Sequence, residues 1–271
     1  MKPHPLEQPA LARFRLLQAR GQLTQAKEAL WQALAQLRWP GPDYRHWLAW
    51  LHRELRPRLY LELGVERGAS LKLALPPTRV IGVDPAPMGD PLSGCAAAAR
   101  LYSQPSAEFL AHPPADCGLQ EHGFDLAFVD GDHRFCGVLE DFIGLEKWAA
   151  PGAVVVLHDT LPLTTATASA ERQSGFYTGD GWKLVPCLSA LRPELRVITL
   201  PITPTGLTLV TGLNPRSVVL QERKSQIVEA YAQVCAQRIV ERPAAVLGPL
   251  GLSEEKAVRL WLRDAGAQSR S

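Results

Sequence analysis

Residues 58–68 read R-L-Y-L-E-L-G-V-E-R-G, a short apolar run, an acid and two glycines four residues apart. Apolar strand, tight glycine turn and following helix is the layout by which α/β proteins hold a small ligand at a strand's carboxyl end. A second apolar run, V-I-G-V-D at 80–84, ends on Asp84. A first strand with a glycine turn and a second strand ending in an acid make a nucleoside-binding half-fold.

The glycine turn narrows the nucleoside. A dinucleotide fingerprint is G-x-G-x-x-G, because the backbone must approach a pyrophosphate closely. Here Glu62, Gly64 and Gly68 are present, but Val65 and Glu66 stand where the middle glycine would be. An acid in the turn repels a diphosphate and suits an ammonium or sulfonium group. Asp84 can accept both ribose hydroxyls, a feature that nicotinamide enzymes share. Its competing reading is a turn residue before Pro85.

Composition sets wide bounds. The chain has 271 residues, 46% hydrophobic and 21% charged, which is ordinary for a globular protein. A net charge of +2 is too small to call for nucleic acid as an obligatory partner. The five cysteines include no C-x-x-C pair, so a disulfide framework or cysteine zinc site is not expected. No apolar run approaches the ~20 residues that span a bilayer, and the first residues lack a signal-peptide core. A cytoplasmic protein without membrane partners is the expectation.

Read along the chain, residues 1–9 suggest an extended arm. Residues 11–37 read as one helix with Leu23, Ala26, Leu30, Leu34 and Leu37 on one face. Pro40, Gly41 and Pro42 break it, and Asp43 is a candidate N-cap for a helix bearing Tyr44, Trp47, Leu48, Leu51 and Leu55. The tryptophans there suit packing against the main domain, with a cap over the substrate or a dimer face as the sharper reading. Strands are expected at 58–63, 79–83, 101–103, 124–129 and 153–157, with helical stretches at 68–74, 95–100, 106–111 and 135–148. This alternation argues for a parallel sheet covered on both faces.

Residues 160–181 form a long Thr- and Gly-rich loop, a length that is usually functional or disordered. A helix at 182–191 leads to two β-like runs, 196–200 and 206–211, whose short link forces antiparallel pairing. Helices are expected at 217–240 and at 253–263, the latter behind the capping pattern S-E-E-K, with a frayed tail after Asp264. The fold class is α/β, a doubly wound, mostly parallel seven-stranded sheet with a C-terminal antiparallel hairpin. The expected division is an N-terminal helical segment (1–56), a cofactor-binding domain (57–213) and a C-terminal helical extension (214–271).

Two polar clusters close neighbouring strands: D-G-D-H at 130–133 and H-D-T at 158–160. They should meet above the sheet. Asp130, His158 and Asp159 could hold one divalent cation with positions open for substrate. His133 could then act as a general base toward a hydroxyl.

L-E-L-G-V-E-R-G-A-S, V-I-G-V-D, F-D-L-A-F-V-D-G-D-H and G-A-V-V-V-L-H-D-T together resemble the class I S-adenosylmethionine-dependent methyltransferases. Within them the chain looks like the branch that methylates hydroxyls of sugars, macrolides and related small molecules. The resemblance spans about Arg58 to Leu213. It implies a Rossmann-like sheet with Glu62 and Gly64 along the cofactor's methionine part, Ser70 near it, Asp84 on the ribose and Ser106 facing the adenine. It implies Asp130 at the cofactor or metal, further ligands at His158 and Asp159, and a base at His133.

Two positions depart from the family pattern. Pro105 stands where many relatives carry an acid, leaving adenine to the backbone and Ser106. His158 stands where metal-dependent relatives often carry an acid, and imidazole binds magnesium less readily than manganese, iron or zinc. The expected activity is methyl transfer from S-adenosylmethionine to a small-molecule or glycan hydroxyl, with a divalent cation such as magnesium or manganese as the second implied cofactor. Loop 160–181 would close over the site. The alternatives are an NAD(P)-dependent oxidoreductase and a non-catalytic nucleoside-binding protein. A homo-oligomer through the terminal helices is the expected assembly.

Overall fold

The computed structural model describes residues 7–173 and 175–266. Most of the expected arm and the last five residues of the tail lie outside them. Seven strands form one sheet: β1 (Leu59–Leu63), β2 (Arg79–Val83), β3 (Ala98–Tyr102), β4 (Phe124–Val129), β5 (Ala149–His158), β6 (Arg196–Leu200) and β7 (Leu207–Thr211). Their order is β3-β2-β1-β4-β5-β7-β6. Strands β1 to β5 run parallel, and β7 is antiparallel to both β5 and β6. The doubly wound sheet with its antiparallel hairpin is therefore present.

Strand order reverses between β1 and β4, and this reversal opens a crevice at their carboxyl ends. Every residue of β1 and β4 is buried, which is why both are apolar apart from one acid each, Glu62 and Asp125, rather than alternating. One face of the sheet packs on α3 (Tyr44–Leu55) through Trp47, Leu48 and Leu51, and on Val258 and Leu262 of the C-terminal helix Glu255–Asp264. The other face packs on α4 (Ser106–Ala111), α6 (Phe135–Glu146) and α7 (Leu184–Leu191).

Several local expectations are corrected. The single helix expected over 11–37 is two, α1 (Glu7–Ala19) and α2 (Leu23–Arg38), because Gly21 turns the chain at φ 71°. Of the expected apolar stripe only Ala26 is buried; Leu23 and Leu34 are 54% and 43% exposed. The helix expected at 68–74 is one 3-10 turn, Leu71–Leu73. The alanine-rich run at 95–100 is not helical. Ala98–Tyr102 pairs with β2 instead, and this tertiary pairing overrides the helix propensity of alanine.

Two further boundaries shift. Residues 217–240 form three short helices, Val219–Glu222, Lys224–Ala232 and Ala236–Glu241, followed by Pro243–Leu247. The pattern S-E-E-K makes no capping box, because Lys256 stands where a capping glutamate would have to reach back. The last helix starts at Glu255, and the Ser253 hydroxyl instead donates to the Pro201 carbonyl. The Asp43 N-cap is present: its side chain accepts from the Arg45 and His46 amides at 3.1 Å each. Among the described residues no helix is long and apolar enough to cross a membrane.

Candidate active site

A cavity of about 840 Å³ opens at the carboxyl ends of β1, β2, β4 and β5. It is lined by the glycine turn 64–70, by Asp84, by Ser106 and by both strand-end clusters. Further wall comes from Glu28 and Gln32 of α2, Tyr44 of α3, Arg172, Phe176 and Tyr177 of the long loop, and Thr205 of the β6–β7 link.

The turn after β1 is tight for a steric reason. Gly64 sits at φ 86°, and a Cβ there would lie 2.3 Å from the Asp130 carbonyl oxygen. Gly68, at φ 71°, would meet the Pro91 carbonyl at 2.1 Å. Asp84 holds this turn from across the crevice. One carboxylate oxygen accepts from the Val65 and Glu66 amides at 2.9 and 2.7 Å, and the other from Ala86 at 2.8 Å. Asp84 thus fixes the turn and also lines the cavity.

Glu62 lies behind the wall rather than in it. It is fully buried, with its oxygens accepting from the Tyr60 hydroxyl at 2.7 Å and the Ser70 hydroxyl at 2.6 Å. Burial pushes its carboxyl up to about 8, with Asp130 and Asp84 adding to the rise against the two hydrogen bonds. Ser70 does line the cavity. Ser106 opens α4 and donates to Asp141 of α6, whose carboxyl burial raises to about 7.

The two strand-end clusters meet as the topology requires. His158 Nδ1 donates to Asp130 at 2.9 Å and lies 3.4 Å from Asp159. His133 Nδ1 lies 2.8 Å from the other Asp159 oxygen. A chain of four side chains, His133–Asp159–His158–Asp130, therefore crosses from β5 back to β4. Burial opposes a charge on His158, but Asp130 and Asp159 outweigh it and take the imidazole to about 9. His133 is raised by the same balance, with Asp159 prevailing over burial. Asp159 is held low despite burial by the two histidines and by the Thr205 hydroxyl that donates to it.

Of the three expected ligands, His158 lies within ion-pair distance of both Asp130 and Asp159. The three side chains whose donor atoms all fall within 4.8 Å are, however, Asp130, His133 and Asp159. Two hard carboxylates and one imidazole fit a divalent cation, manganese, iron or zinc better than magnesium. His158 in this arrangement is a counter-charge to both acids.

The sequence placed the long loop over the site but gave no sign that Tyr44 would join it in the wall. Tyr44, assigned to an apolar helix face, has its ring 4.4 Å from His158 and 6.0 Å from Phe128. The long loop is stitched to the His133 turn: the Gly181 amide donates to the His133 carbonyl and Asp180 accepts from the Phe135 amide. Its tip packs on α2, where Phe176 stacks on Trp31 with ring centres 5.8 Å apart. Glu28 and Gln32, one helical turn apart, give α2 a polar edge toward the cavity.

Residues 61–160 match the family model described as "Methyltransferase domain". The match runs from β1 through β5 and includes the glycine turn and both strand-end clusters. Among solved structures, cofactor-bound Rv0187 from MTB is 18% identical with a TM-score of 0.51, covering 78% of this chain and 98% of that one. The O-methyltransferase TomG from Streptomyces achromogenes, solved with SAM and involved in tomaymycin synthesis, is 20% identical with a TM-score of 0.46, covering 65% and 85%. The O-methyltransferase from Bacillus cereus, solved with SAH, is 16% identical with a TM-score of 0.46, covering 66% and 86%. No curated protein sequence matches the chain.

Proposed function

We propose that this chain, a class I S-adenosylmethionine-dependent methyltransferase, transfers the methyl group to a hydroxyl of a small molecule or sugar, with His133 as the base. The observation that carries the reading is the His133–Asp159 pair, 2.8 Å apart, in the same cavity as the glycine turn. A base held by a carboxylate on its far nitrogen is oriented and electrostatically supported. With Nδ1 committed to Asp159, Nε2 is the nitrogen left for a substrate hydroxyl.

The cofactor supplies an electrophilic methyl group on a sulfonium sulfur. The chain's own residues do the rest. The turn 64–70, Asp84 and Ser106 bind and orient the nucleoside. His133 would take the proton that the acceptor hydroxyl gives up on methyl transfer. Tyr44, Phe176 and Tyr177 supply aromatic wall that keeps water from the reacting oxygen. Positioning of this kind accounts for much of the acceleration in a displacement reaction.

A second reading rests on the Asp130–His133–Asp159 group. A divalent cation held there would lower the pKa of a bound hydroxyl. His133 would then be a ligand rather than a base, so the two readings separate. Turnover should persist in chelator under the base reading and vanish under the metal reading. His133→Ala should lower turnover about 10²–10⁴-fold, while S-adenosylhomocysteine affinity by calorimetry stays within about twofold. Undiminished turnover in that variant removes His133 from the mechanism under either reading.

A further inference from the structure

Glu62 is the acid that the reaction does not use, and its surroundings are one-sided. It lies in the middle of the sheet, where Gly82 of β2 and Phe128 of β4 flank it in register. On its own strand it meets Tyr60, and from the turn Ser70. Asp84 closes β2 and Asp130 follows β4, and both act on it as like charges. From α3 come Tyr44 and His52; the His52 ring packs on Tyr60 at 4.5 Å and has neither nitrogen hydrogen-bonded. Among the described residues no lysine, arginine or histidine pairs with Glu62.

Ser70 connects this acid to the cavity. A serine hydroxyl has one proton, and toward an ionised Glu62 Ser70 gives it to the carboxylate, as its 2.6 Å contact allows. The lone pairs that Ser70 can turn to a ligand are therefore acceptors, suited to an ammonium and not to a carboxylate. Glu62 stands one hydrogen bond behind the wall, uncompensated, on the side where a ligand's positive charge would supply the missing partner.

We propose that Glu62 keeps its proton while the cavity is empty and releases it when the cofactor's amino-acid ammonium docks against Ser70. The inference rests on the methyltransferase reading and adds a proton to its binding equilibrium. Docking a cation favours the charged carboxylate, and the hydrogen bonds from Tyr60 and Ser70 strengthen once their acceptor is ionised. Cofactor affinity should then rise with pH through neutrality, until Glu62 is ionised even in the free protein.

Calorimetric titration of the full chain with S-adenosylhomocysteine tests this in phosphate and in Tris, whose protonation enthalpies differ. Roughly one proton should be released per site at pH 7, falling toward none above about pH 9. Adenosine, which lacks the ammonium, should release none. Glu62→Gln should bind more weakly and without proton release. Tyr60→Phe removes a hydrogen bond that favours the charged form, so release should persist to higher pH. Binding of S-adenosylhomocysteine without proton release overturns the proposal and leaves the methyltransferase reading intact. So does release that is unchanged in Glu62→Gln, or equal release with adenosine. No binding in either buffer overturns both.

Discussion

On the β1–β2 side of the cavity the acids are spent on the protein itself, whereas on the β4–β5 side they face histidines across the crevice. Asp84 is bonded to three backbone amides and Glu62 to two hydroxyls. Asp130 and Asp159 instead meet His158 and His133, side chains that can carry or move a proton. The first wall is a rigid mould whose shape comes from backbone; the second is a linked set of titrating groups whose state can change during a reaction. The proposed methyl transfer needs both, because a cofactor must be held still while an acceptor loses a proton.

The two walls touch at Gly64, and Gly64→Ala should therefore do the most damage. Its methyl group would fall inside contact distance of the Asp130 carbonyl, in a left-handed backbone that L-residues adopt poorly. Backbone does not yield as a flexible side chain would, so β1 and β4 must separate. We expect a loss of about 4 kcal/mol or more in denaturant unfolding, or an insoluble protein. An alanine variant melting within two or so degrees of the parent would mean that the two strand ends are not in contact.

Asp84→Ala comes next and breaks only the first wall. Three amides lose a charged acceptor, which should cost about 2–4 kcal/mol of stability together with nucleoside binding. The melting curve decides between roles: an Asp84 that served the ribose alone would leave stability unchanged. The His133–Asp159 pair should survive this substitution.

Asp141 extends the contrast to pH. Burial raises its carboxyl to about 7, well above the ordinary aspartate value, while it accepts from Ser106. A carboxyl raised in the folded state contributes stability that is full at low pH and is lost as pH climbs through about 7. Asp141→Asn should therefore be near neutral at about pH 4 and stabilising at pH 8 by on the order of 4 kcal/mol. Unfolding curves at the two pH values check the sign. A destabilised variant at pH 8 would mean that the carboxylate has a cationic partner.

The first wall was legible in the sequence because its signals are local. A glycine turn after an apolar run and an acid at the next strand's end fall within 27 residues, and both reflect backbone needs. The fold followed from the same alternation, although alanine propensity misled at 95–100 and the helices at 11–37, 68–74 and 217–240 were read as longer than they are. The second wall was half legible. The motifs D-G-D-H and H-D-T revealed which residues end β4 and β5, but not that His133 would pair with Asp159 while His158 paired chiefly with Asp130. That pairing depends on side-chain packing between strands. The outer rim was hardest to read: Tyr44, Trp31 and Phe176 carry no periodic signal for a cavity and are joined only by tertiary contact.

The smallest expected effect belongs to that rim and shows where the second wall ends. Trp31 is partly exposed, and its stacking on Phe176 is the aromatic contact between α2 and the loop tip. Ring pairs of this kind contribute about 0.5–1.5 kcal/mol beyond area burial. Both ends of the loop keep their own anchors, Leu161 to Thr205 and Gly181 to His133, so Trp31→Ala loosens the tip alone. Cofactor affinity should not move, because the first wall is untouched, and kcat should hold, because the His133 turn is fixed from the other side. KM for the acceptor should rise about three- to tenfold, in proportion to that ring-pair energy. A fall in kcat without a change in KM would reverse the assignment, making the loop tip part of the machinery that aligns the base rather than part of the surface that receives the acceptor.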